Sequence, residues 1–437
     1  MFKTLRDALR VKDIRKGLLF TFFILIVVRL GCIIPVPGLD TAAIKEYMEA
    51  AFGNSGDIIS TFTGGSFTQM SIFALNVTPY ITSSIIIQLL TIAIPALEEM
   101  QKDGEDGRKK ITAITRYVTI LLSIIEGLGL AIGFDRGHYY TINTTLGYFV
   151  VLITLTAGSA FVMWLGEKVT DYGVGNGISI ILLINIVSRM PSDLKDLYDM
   201  FVKGKDIVDQ VIAVAIVLGV IIVTVVLVVL LQDGVRKIPV QYAQKVQGRR
   251  SVGGQQSHIP LKVNTSSVIP VIFASSILSV PAVVVNLFNL KASGTWAKIL
   301  EGLNQHYWCN PNRPWASIGL LVYILLVFFF AYFYTSVTFN PMEIANNMKK
   351  GGGFIPGIRP GKPTQDYLNK ILNYIVFIGA VGLIIVAVIP IFFNGWFGAN
   401  VSFGGTSLII IVGVIIETIK QIESKMIVRN YSGFLNS

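Results

Sequence analysis

Charged side chains are scarce in this chain. Asp, Glu, Lys and Arg together make up 14% of its 437 residues, whereas a soluble globular domain carries about 25%. Hydrophobic residues account for 53% of the chain, and its mean hydropathy is +0.65. This composition excludes an ordinary soluble domain and predicts a protein that crosses a membrane many times.

Residues that bind metals or act as nucleophiles are also few. Two cysteines, Cys32 and Cys309, cannot build a disulfide framework, and three histidines leave little material for a metal site. The sequence has no HExxH motif and no GxxxxGK[ST] phosphate loop, because the segment RPGKPT lacks the upstream glycine. We therefore expect no cofactor, no metal and no enzymatic activity.

Long apolar runs, in contrast, are abundant. A helix needs about 20 apolar residues to cross the hydrocarbon core, and it satisfies its own backbone polar groups there. The sequence therefore predicts an all-α polytopic membrane protein with ten transmembrane helices. The predicted spans are about 18–34, 72–95, 113–134, 146–165, 176–190, 207–231, 266–289, 315–338, 370–393 and 403–423. The fifth is short, and we interpret it as a central span rather than a re-entrant segment.

Lys and Arg are distributed unevenly between the two sides of these spans. The two termini and the loops on their side hold 23 basic residues, whereas the loops on the opposite side hold nine. Because basic loops stay in the cytoplasm, both termini are predicted to be cytoplasmic. The net charge of +10 then reflects membrane topology. Nucleic-acid binding is the competing interpretation, and the scattering of basic residues over separate loops disfavours it.

Two of the predicted spans are unusually polar and occupy matching positions. The second contains NVTPYITSSIII at 76–87, and the seventh contains NTSSVIPVIFASSILSVP at 264–281. Matched, interrupted segments are typical of inverted repeats. Small polar residues also allow close helix packing in any bundle, and for either segment alone this explanation stands equally well. The pair together favours two five-helix halves that share a functional interface.

The second span carries a narrow aliphatic ridge. At 100° per residue, Val77, Ile81 and Ile85 fall on one stripe of a helix. A lipid-facing helix would have a broad apolar face instead. The ridge therefore favours a water-accessible cavity that aliphatic side chains constrict, although a buried helix seam remains open. Small polar side chains border the ridge, with Thr78 and Thr82 on one side and Asn76, Ser83 and Ser84 on the other.

One carboxylate lies deep in the third predicted span, at Glu126. A charge there is costly unless it is partnered, so Glu126 is a functional candidate, and we expect hydroxyls of the second or seventh span beside it. A structural hydrogen bond is equally consistent with the sequence. A secondary transporter for a small solute is one alternative function, but ion-driven transporters usually have more such residues. An insertase that assembles partners without a pore is another.

Three loops have a distinctive composition. The segment 57–70 has a Gly-Gly break, and it is either a loop packed on the bundle or a short plug. The cytoplasmic loop 232–265 contains RKIPVQYAQKV, which predicts a strand that forms a hairpin with the chain after Gly253-Gly254. Arg249 and Arg250 lie at its tip. The cytoplasmic loop 339–369 is rich in Gly and Pro around Arg359. We interpret both cytoplasmic loops as docking surfaces rather than simple membrane anchors.

Short motifs occur in a specific order along essentially the whole chain. They are IPVPGLD at 34–40, TGGSF at 63–67, NVTPYITSSIIIQLL at 76–90, EDGRKKI at 105–111, TRYVT at 115–119, MWLGEKVTDYGVGNGISI at 163–180, QGRR at 247–250, HIPLKVN at 258–264, FIPGIRPG at 354–361 and FGGTSLII at 403–410. This series resembles the SecY family, the pore-forming subunits of the bacterial Sec protein translocase. The resemblance implies two inverted five-helix halves, 1–190 and 191–437, around an hourglass pore.

The resemblance also implies a function and its sites. It implies a channel that passes unfolded preproteins across the cytoplasmic membrane and releases transmembrane segments sideways into lipid. The pore ring then falls on Val77, Ile81, Ile85, Ile178, Leu182, Ile272 and Ile410. The plug, 57–70, includes Ile58, Ile59, Phe62, Gly64, Gly65 and Phe67. The lateral gate lies between the second and third spans and the seventh and eighth, with Thr78, Thr82, Ser83, Glu126, Ser275, Ser276 and Ser279.

Partners follow from the same resemblance. It implies SecE and SecG in the membrane, and the SecA ATPase or a ribosome on the cytoplasmic side. These cytoplasmic partners would contact Arg249, Arg250 and Arg359. The signal peptide of an unfolded preprotein and membrane lipid would meet the channel itself, and no specific nucleic-acid sequence is expected. The implied location is the bacterial cytoplasmic membrane.

Overall fold

The structure is a computed structural model that describes residues 9–52, 63–137, 139–141, 144–203, 207–242, 245–247, 250–252, 256–266, 268–287, 294–311, 313–397 and 405–435. Helices dominate it, as the apolar runs predict. They are α1 (Lys12–Gly31), α2 (Thr41–Phe52), α3 (Thr78–Ala93), α4 (Pro95–Lys102), α5 (Glu105–Arg136), α6 (Thr144–Tyr172), α7 (Gly177–Phe201), α8 (Ile207–Asp233), α9 (Ile269–Leu287), α10 (Thr295–Leu303), α11 (Ile318–Thr338), α12 (Pro341–Lys350), α13 (Lys362–Phe397) and α14 (Gly405–Leu435).

A helix occupies each of the ten predicted spans, and these are α1, α3, α5, α6, α7, α8, α9, α11, α13 and α14. Within the described ranges, six helices are long and apolar enough to cross a membrane, or seven if the bent pair α3 and α4 forms one span. The all-α polytopic class is therefore confirmed. The count of ten crossings stays a prediction.

The bend between α3 and α4 has a clear local cause. The two helices meet at 105°. Ile94 separates them in an extended conformation, with φ −112° and ψ 110°, and Pro95 begins the second helix. Proline disfavours the helical conformation of the residue before it, so the chain turns at Ile94. The predicted second span 72–95 therefore ends in a corner.

Helix packing follows the chain order in two groups. In the first group, α3 contacts α5, α5 contacts α6, and α6 contacts α1 and α7. In the second, α9 contacts α11, α11 contacts α13, and α13 contacts α8 and α14. The groups touch where α5 meets α9 and where α7 meets α8 and α14. The seam between the two groups therefore has α5 against α9 at one end, and α7 against α8 and α14 at the other.

A small β-sheet carries the two long loops. Strand β1 (Val235–Tyr242) pairs antiparallel with β4 (Gln256–Lys262), so the predicted hairpin is confirmed. A second, shorter hairpin, β2 (Lys245–Gln247) and β3 (Arg250–Val252), extends toward the tip. Strand β5 (Gly353–Phe354) joins the other edge of β1, so the sheet order is β4-β1-β5. This last pairing, which the sequence analysis did not predict, links the loops 232–265 and 339–369.

The sheet has its own apolar core. Its members come from β1, β4, α12, α13 and the residue that follows β5, and they are Ile238, Val240, Leu261, Met348, Ile355, Leu368, Ile371 and Ile375. All of them are buried. Burial of several large aliphatic side chains contributes roughly 1.5–3 kcal/mol for each. The sheet is therefore fixed to the first turns of α13 rather than held only by its connecting loops.

Candidate functional site

Helix α3 begins at an unusual backbone position. Asn76 has φ +48°, a left-handed conformation that asparagine tolerates better than most residues. Its Oδ1 accepts a hydrogen bond from the Val77 amide at 2.9 Å, and its Nδ2 lies 3.7 Å from Cys32 Sγ. The Ser159 hydroxyl donates to the Asn76 carbonyl at 3.1 Å. Contacts from α1 and α6 therefore fix the direction in which α3 leaves this point.

Four of the predicted ring residues share one apolar cluster, which we call the ring cluster. Val77 and Ile81 come from α3, and Ile178 and Leu182 come from α7. Val77 is buried to 1% exposure. Val414 of α14 packs against the same cluster, and α1 and α6 also contribute members, so five helices converge there. The side chains that these helices contribute to the cluster are all apolar, and a surface of apolar side chains excludes water.

The other three ring residues lie outside this cluster. Ile410 is buried on α14, at 3% exposure. Ile85 on α3 and Ile272 on α9 are each partly buried. The structure therefore brings together the four ring residues of the first helix group. The closing of a complete ring by Ile85, Ile272 and Ile410 stays a prediction.

The plug segment is described from Thr63 onward, and Ile58, Ile59 and Phe62 lie outside the described residues. Gly64 and Gly65 form a turn with φ +65° and +84°. The Arg29 side chain of α1 donates to the Gly64 carbonyl at 3.3 Å. A Cβ on Gly64 would lie 3.1 Å from Asn185 Cα of α7. The turn is therefore fitted between α1 and α7, and Arg29 is a site residue that the sequence analysis did not assign.

Hydrogen bonds and apolar contacts hold the rest of this segment. The Ser66 hydroxyl donates to the carbonyls of Thr63 at 2.8 Å and Phe73 at 2.9 Å. Phe67, at 8% exposure, packs in an apolar cluster with Met70 and Leu130. The segment 63–70 is thus packed on the helices around the start of α3. The sequence left two interpretations open, a packed loop and a plug, and this geometry fits both.

Ser83 joins α3 to α5. Its hydroxyl is fully buried, lies 2.6 Å from Thr119 Oγ1 and donates to the Thr115 carbonyl at 3.2 Å. The Thr82 hydroxyl instead donates to Thr78 within α3, at 3.1 Å. Ser83 therefore connects the second and third predicted spans to each other. The sequence analysis missed Thr115 and Thr119, although their spacing of four residues in TRYVT places both on one helix face.

In α9, Ser275 also forms a hydrogen bond within its own helix group. Ser275 Oγ accepts a hydrogen bond from Gln305 Nε2 at 3.2 Å, in the segment that leads from α9 to α11. Ser276 is exposed, and the side chain of Ser279 lies outside the described residues. Ser83 and Ser275 thus each stabilise one side of the seam. Contact across the seam comes from the packing of α5 on α9.

Glu126 lies on α5, partly buried. The sequence analysis expected a hydroxyl from the second or seventh span beside it. Across the described part of the chain, no hydrogen bond or ion pair joins Glu126 to another residue. The side chain of Ser279 in the seventh span lies outside the described residues, so that expectation stays a prediction. The hydroxyls of Ser83 and Ser275 are instead satisfied by α5 and by Gln305.

Two of the predicted docking arginines, Arg250 and Arg359, lie on the sheet side of the molecule. Arg359 is exposed, and the Thr364 hydroxyl holds its carbonyl at 2.8 Å. Arg250 opens β3 and pairs with Gln247. Arg249 lies outside the described residues. The backbone around Arg359 is therefore ordered by contacts within the loop, while its side chain faces outward.

Comparison with known proteins places this geometry in a family. The SecY family model matches residues 71–419. The chain belongs to the SecY family. A SecY-family relative, the protein translocase subunit SecY of Streptomyces lividans, is 44% identical with full coverage of both chains. The corresponding subunit of Bacillus subtilis is 41% identical, also with full coverage. The chain is therefore a multi-pass protein of the cell membrane.

Solved structures agree with this family at the level of fold. A structure of a protein-conducting channel is 20% identical, with a TM-score of 0.64, and the match covers 95% of this chain and 93% of that one. Sec61 in the canine ribosome–channel complex of the endoplasmic reticulum is 19% identical, with a TM-score of 0.62 and the same coverage. At these identities the likeness shows a shared fold.

Proposed function

We propose that this chain forms a channel that passes unfolded polypeptides across the cytoplasmic membrane and releases apolar segments sideways into lipid. The observation that carries the proposal is the ring cluster, in which α3 and α7 contribute only aliphatic side chains next to the packed turn at Gly64. An aliphatic constriction excludes water without a ring of charges. Aliphatic side chains also make no specific polar contacts, so the constriction would accept polypeptides of any sequence.

The rest of the ring, the plug and the gate complete this proposal. Ile85, Ile272 and Ile410 would close the ring from α3, α9 and α14. The segment 57–70 would cover it as a plug, which the fit of Gly64 between Arg29 and α7 supports. The gate would be the seam between α3 and α5 on one side and α9 and α11 on the other. The halves 1–190 and 191–437 would then move apart at this seam.

The arrangement of hydroxyls supports a gate of this kind. A seam that opens must separate without breaking many hydrogen bonds. Ser83 binds α3 to α5, and Ser275 binds Gln305, so each side keeps its own hydrogen bonds when the seam widens. Thr78, Thr82, Glu126, Ser276 and Ser279 would then line the opening. A released segment would leave between α5 and α9, toward lipid.

The partners of this channel belong to the same proposal. The exposed Arg359 offers a planar donor to acidic surfaces, as SecA or a ribosome would require, and Arg249 and Arg250 would add two more. Relatives of the same fold have been seen with ribosomes, in the canine Sec61 complex and the yeast Ssh1 complex. SecE and SecG would pack on the membrane-facing helices. Both termini would lie in the cytoplasm.

Cross-linking tests whether the ring contacts a polypeptide in transit. A photoreactive residue replaces Ile81 or Ile272, and a preprotein is stalled midway through translocation. We expect adducts at both positions, because the proposed path runs between them. The matched control is Ile222, which is 61% exposed and lies on α8, a helix that contributes no residue to the predicted ring. Adducts at Ile222 equal to those at Ile81 and Ile272 would favour an assembly surface without a pore.

Resting ion leak tests the seal independently of transport. The double substitution of Ile81 and Ile272 with glycine removes the side chains that the proposal places at the constriction. We expect ion conductance of proteoliposomes to rise several-fold over the unmodified chain. Glycine at the exposed Ile216 and Ile222 of α8 controls for the cost of glycine in a helix. A leak that stays unchanged in the ring variant would show that the seal is elsewhere.

A further inference from the structure

Helix α10 presents an apolar face that no part of the described protein covers. Trp296 is 53% exposed and Ile299 is 46% exposed, and no residue of α10 is buried. These two side chains are three positions apart, so they share one side of the helix. Lys298 is also exposed, but at 100° per residue it lies on a different side. The helix is therefore amphipathic on its outward surface.

The inner surface of α10 is fixed firmly to the protein. The indole Nε1 of Trp308, which is fully buried, donates to the Gly302 carbonyl at 2.7 Å. Gly319 lies in the first turn of α11, and a Cβ there would collide with the same carbonyl. Leu303 packs against the apolar core that includes Trp308. Direct backbone contact therefore fixes the position of α10 beside the first turn of α11.

An exposed apolar surface of α11, a membrane-crossing helix, begins at this same position. Ile318, Leu321 and Leu325 of α11 are each at least 60% exposed, and they follow one another along one side of the helix. Trp315 lies immediately before them and is 39% exposed. The surface that α11 turns to lipid thus begins beside α10. Trp296 and Ile299 extend this surface at the end of the helix that lies away from the β-sheet.

We propose that α10 is an interfacial helix whose Trp296 and Ile299 insert into the phospholipid surface of the membrane leaflet away from the β-sheet. Tryptophan is favoured at the boundary between headgroups and acyl chains, because its ring is apolar and its N–H is polar. An amphipathic helix lying in that plane buries its apolar side to about 5–10 Å. Lys298, on another side, stays at the level of phosphates and water.

The neighbouring charges are consistent with a position at the headgroups. Arg313 pairs with Glu301 of α10 at 3.3 Å, and its guanidinium lies 5.1 Å from the centre of the Tyr307 ring. Both members of the pair are partly exposed. A paired, half-exposed charge next to aromatic rings is tolerated at a membrane surface and would be costly in the hydrocarbon core. The helix therefore lies at the boundary rather than below it.

Insertion of α10 into lipid can be measured without translocation. The full chain carries one added cysteine, at Ile299→Cys or Lys298→Cys, labelled with the environment-sensitive fluorophore NBD. The chain with only its native cysteines supplies the background signal. Each protein is reconstituted in phosphatidylethanolamine–phosphatidylglycerol vesicles, either with ordinary lipid or with lipid brominated on the acyl chain near the glycerol. Iodide in the outer buffer of the vesicles reports exposure to water.

Opposite responses are expected at the two positions. Brominated lipid should lower NBD emission at 299 about twofold, because that side chain reaches the acyl boundary. Emission at 298 should change little with bromine and should be quenched by iodide. Strong iodide quenching at both positions, with no effect of bromine, would place α10 in water and overturn the proposal. Equal bromine quenching at both would overturn the assigned face.

Intrinsic fluorescence gives a check that needs no label. Brominated lipid should quench the unmodified chain more than the Trp296→Phe variant, because that variant lacks one lipid-accessible indole. The matched control is each protein in ordinary lipid, which corrects for the emission lost with the missing indole. Equal quenching of the unmodified chain and Trp296→Phe would show that Trp296 does not reach lipid.

Discussion

Gly64 and Gly65 share a left-handed backbone but differ in their surroundings. A Cβ on Gly64 would lie 2.5 Å from Arg29 Nη1, whereas a Cβ on Gly65 would find no atom within 4 Å. Both positions strain any other residue in the same way, since φ is +65° and +84°. The two glycines are therefore a matched pair that separates backbone strain from close packing.

The first prediction at the residue scale uses this pair. Gly64→Ala should displace the turn from α1 and α7, whereas Gly65→Ala should cost only backbone strain of about 1 kcal/mol. We expect Gly64→Ala proteoliposomes to leak ions at rest and Gly65→Ala proteoliposomes to remain nearly tight, in single-channel or vesicle-flux recordings. If both variants leaked equally, close packing at Gly64 would not be what holds the segment.

A second prediction concerns two neighbouring hydroxyls. Ser83→Ala removes the hydrogen bonds between α3 and α5 and should lower stability by about 1 kcal/mol. Thr82→Ala removes only a bond within α3 and should cost less, which makes it the control. Thermal unfolding in detergent measures both. Equal losses would mean that the contact between the helices adds nothing to stability.

The structure brings together four of the ring residues, and their role in a pore stays a prediction. Helical spacing alone places Val77 and Ile81 on one ridge, and family resemblance adds Ile178 and Leu182, which the structure joins to them. Thr119 could not be assigned as the partner of Ser83, because such a pairing depends on the relative rotation of two helices. The partner expected for Glu126 depends on the same rotation and stays a prediction.

At the scale of elements, short β-pairing explains both a success and a failure. The β1–β4 hairpin was predicted because it joins two strands that are close in sequence. Strand β5 was not, because it has only two residues in a Gly-rich loop about a hundred positions later. Its pairing with β1 depends on contacts that no local pattern encodes. The corner at Ile94 was signalled by Pro95, yet the sequence analysis read the span as continuous.

The prediction at this scale tests docking on the sheet side. Arg359→Glu should reduce SecA-driven translocation strongly, about tenfold or more, because it reverses a charge on an exposed side chain. Membrane insertion of the channel itself should change little, since only the Arg359 carbonyl contributes to loop structure. Translocation assays with inverted vesicles, normalised to channel content, measure the effect. Loss of insertion and translocation together would indicate a folding role instead.

At the scale of the whole molecule, composition predicted the class while the number of crossings stayed open. Low charge and long apolar runs are sufficient for an all-α membrane protein. The count is harder, because α1 carries Arg29 and a basic first turn, and α3 is short and ends in a corner. The neighbouring helices that shelter their polar groups are visible only in three dimensions.

Orientation is the prediction that belongs to this scale. The 23 basic residues on the side of the termini predict a cytoplasmic C-terminus. A C-terminal fusion of green fluorescent protein should therefore fluoresce, and a fusion of alkaline phosphatase at the same position should be inactive. Fusions at Lys205, which the sequence predicts to lie in a loop on the opposite side, supply the reversed control. Active phosphatase at the C-terminus would invert the topology.

The three-stranded sheet has a mechanical consequence. Strand β4 leads within seven residues into α9, and a Cβ on Gly379 of α13 would collide with the Val263 carbonyl in that connection. Strand β5 leads into α13 from the other loop. A load applied to either loop is therefore carried by one rigid piece to the first turn of α9. A partner that tilts the sheet would therefore move the start of α9, and with it one side of the seam, without touching the seam itself.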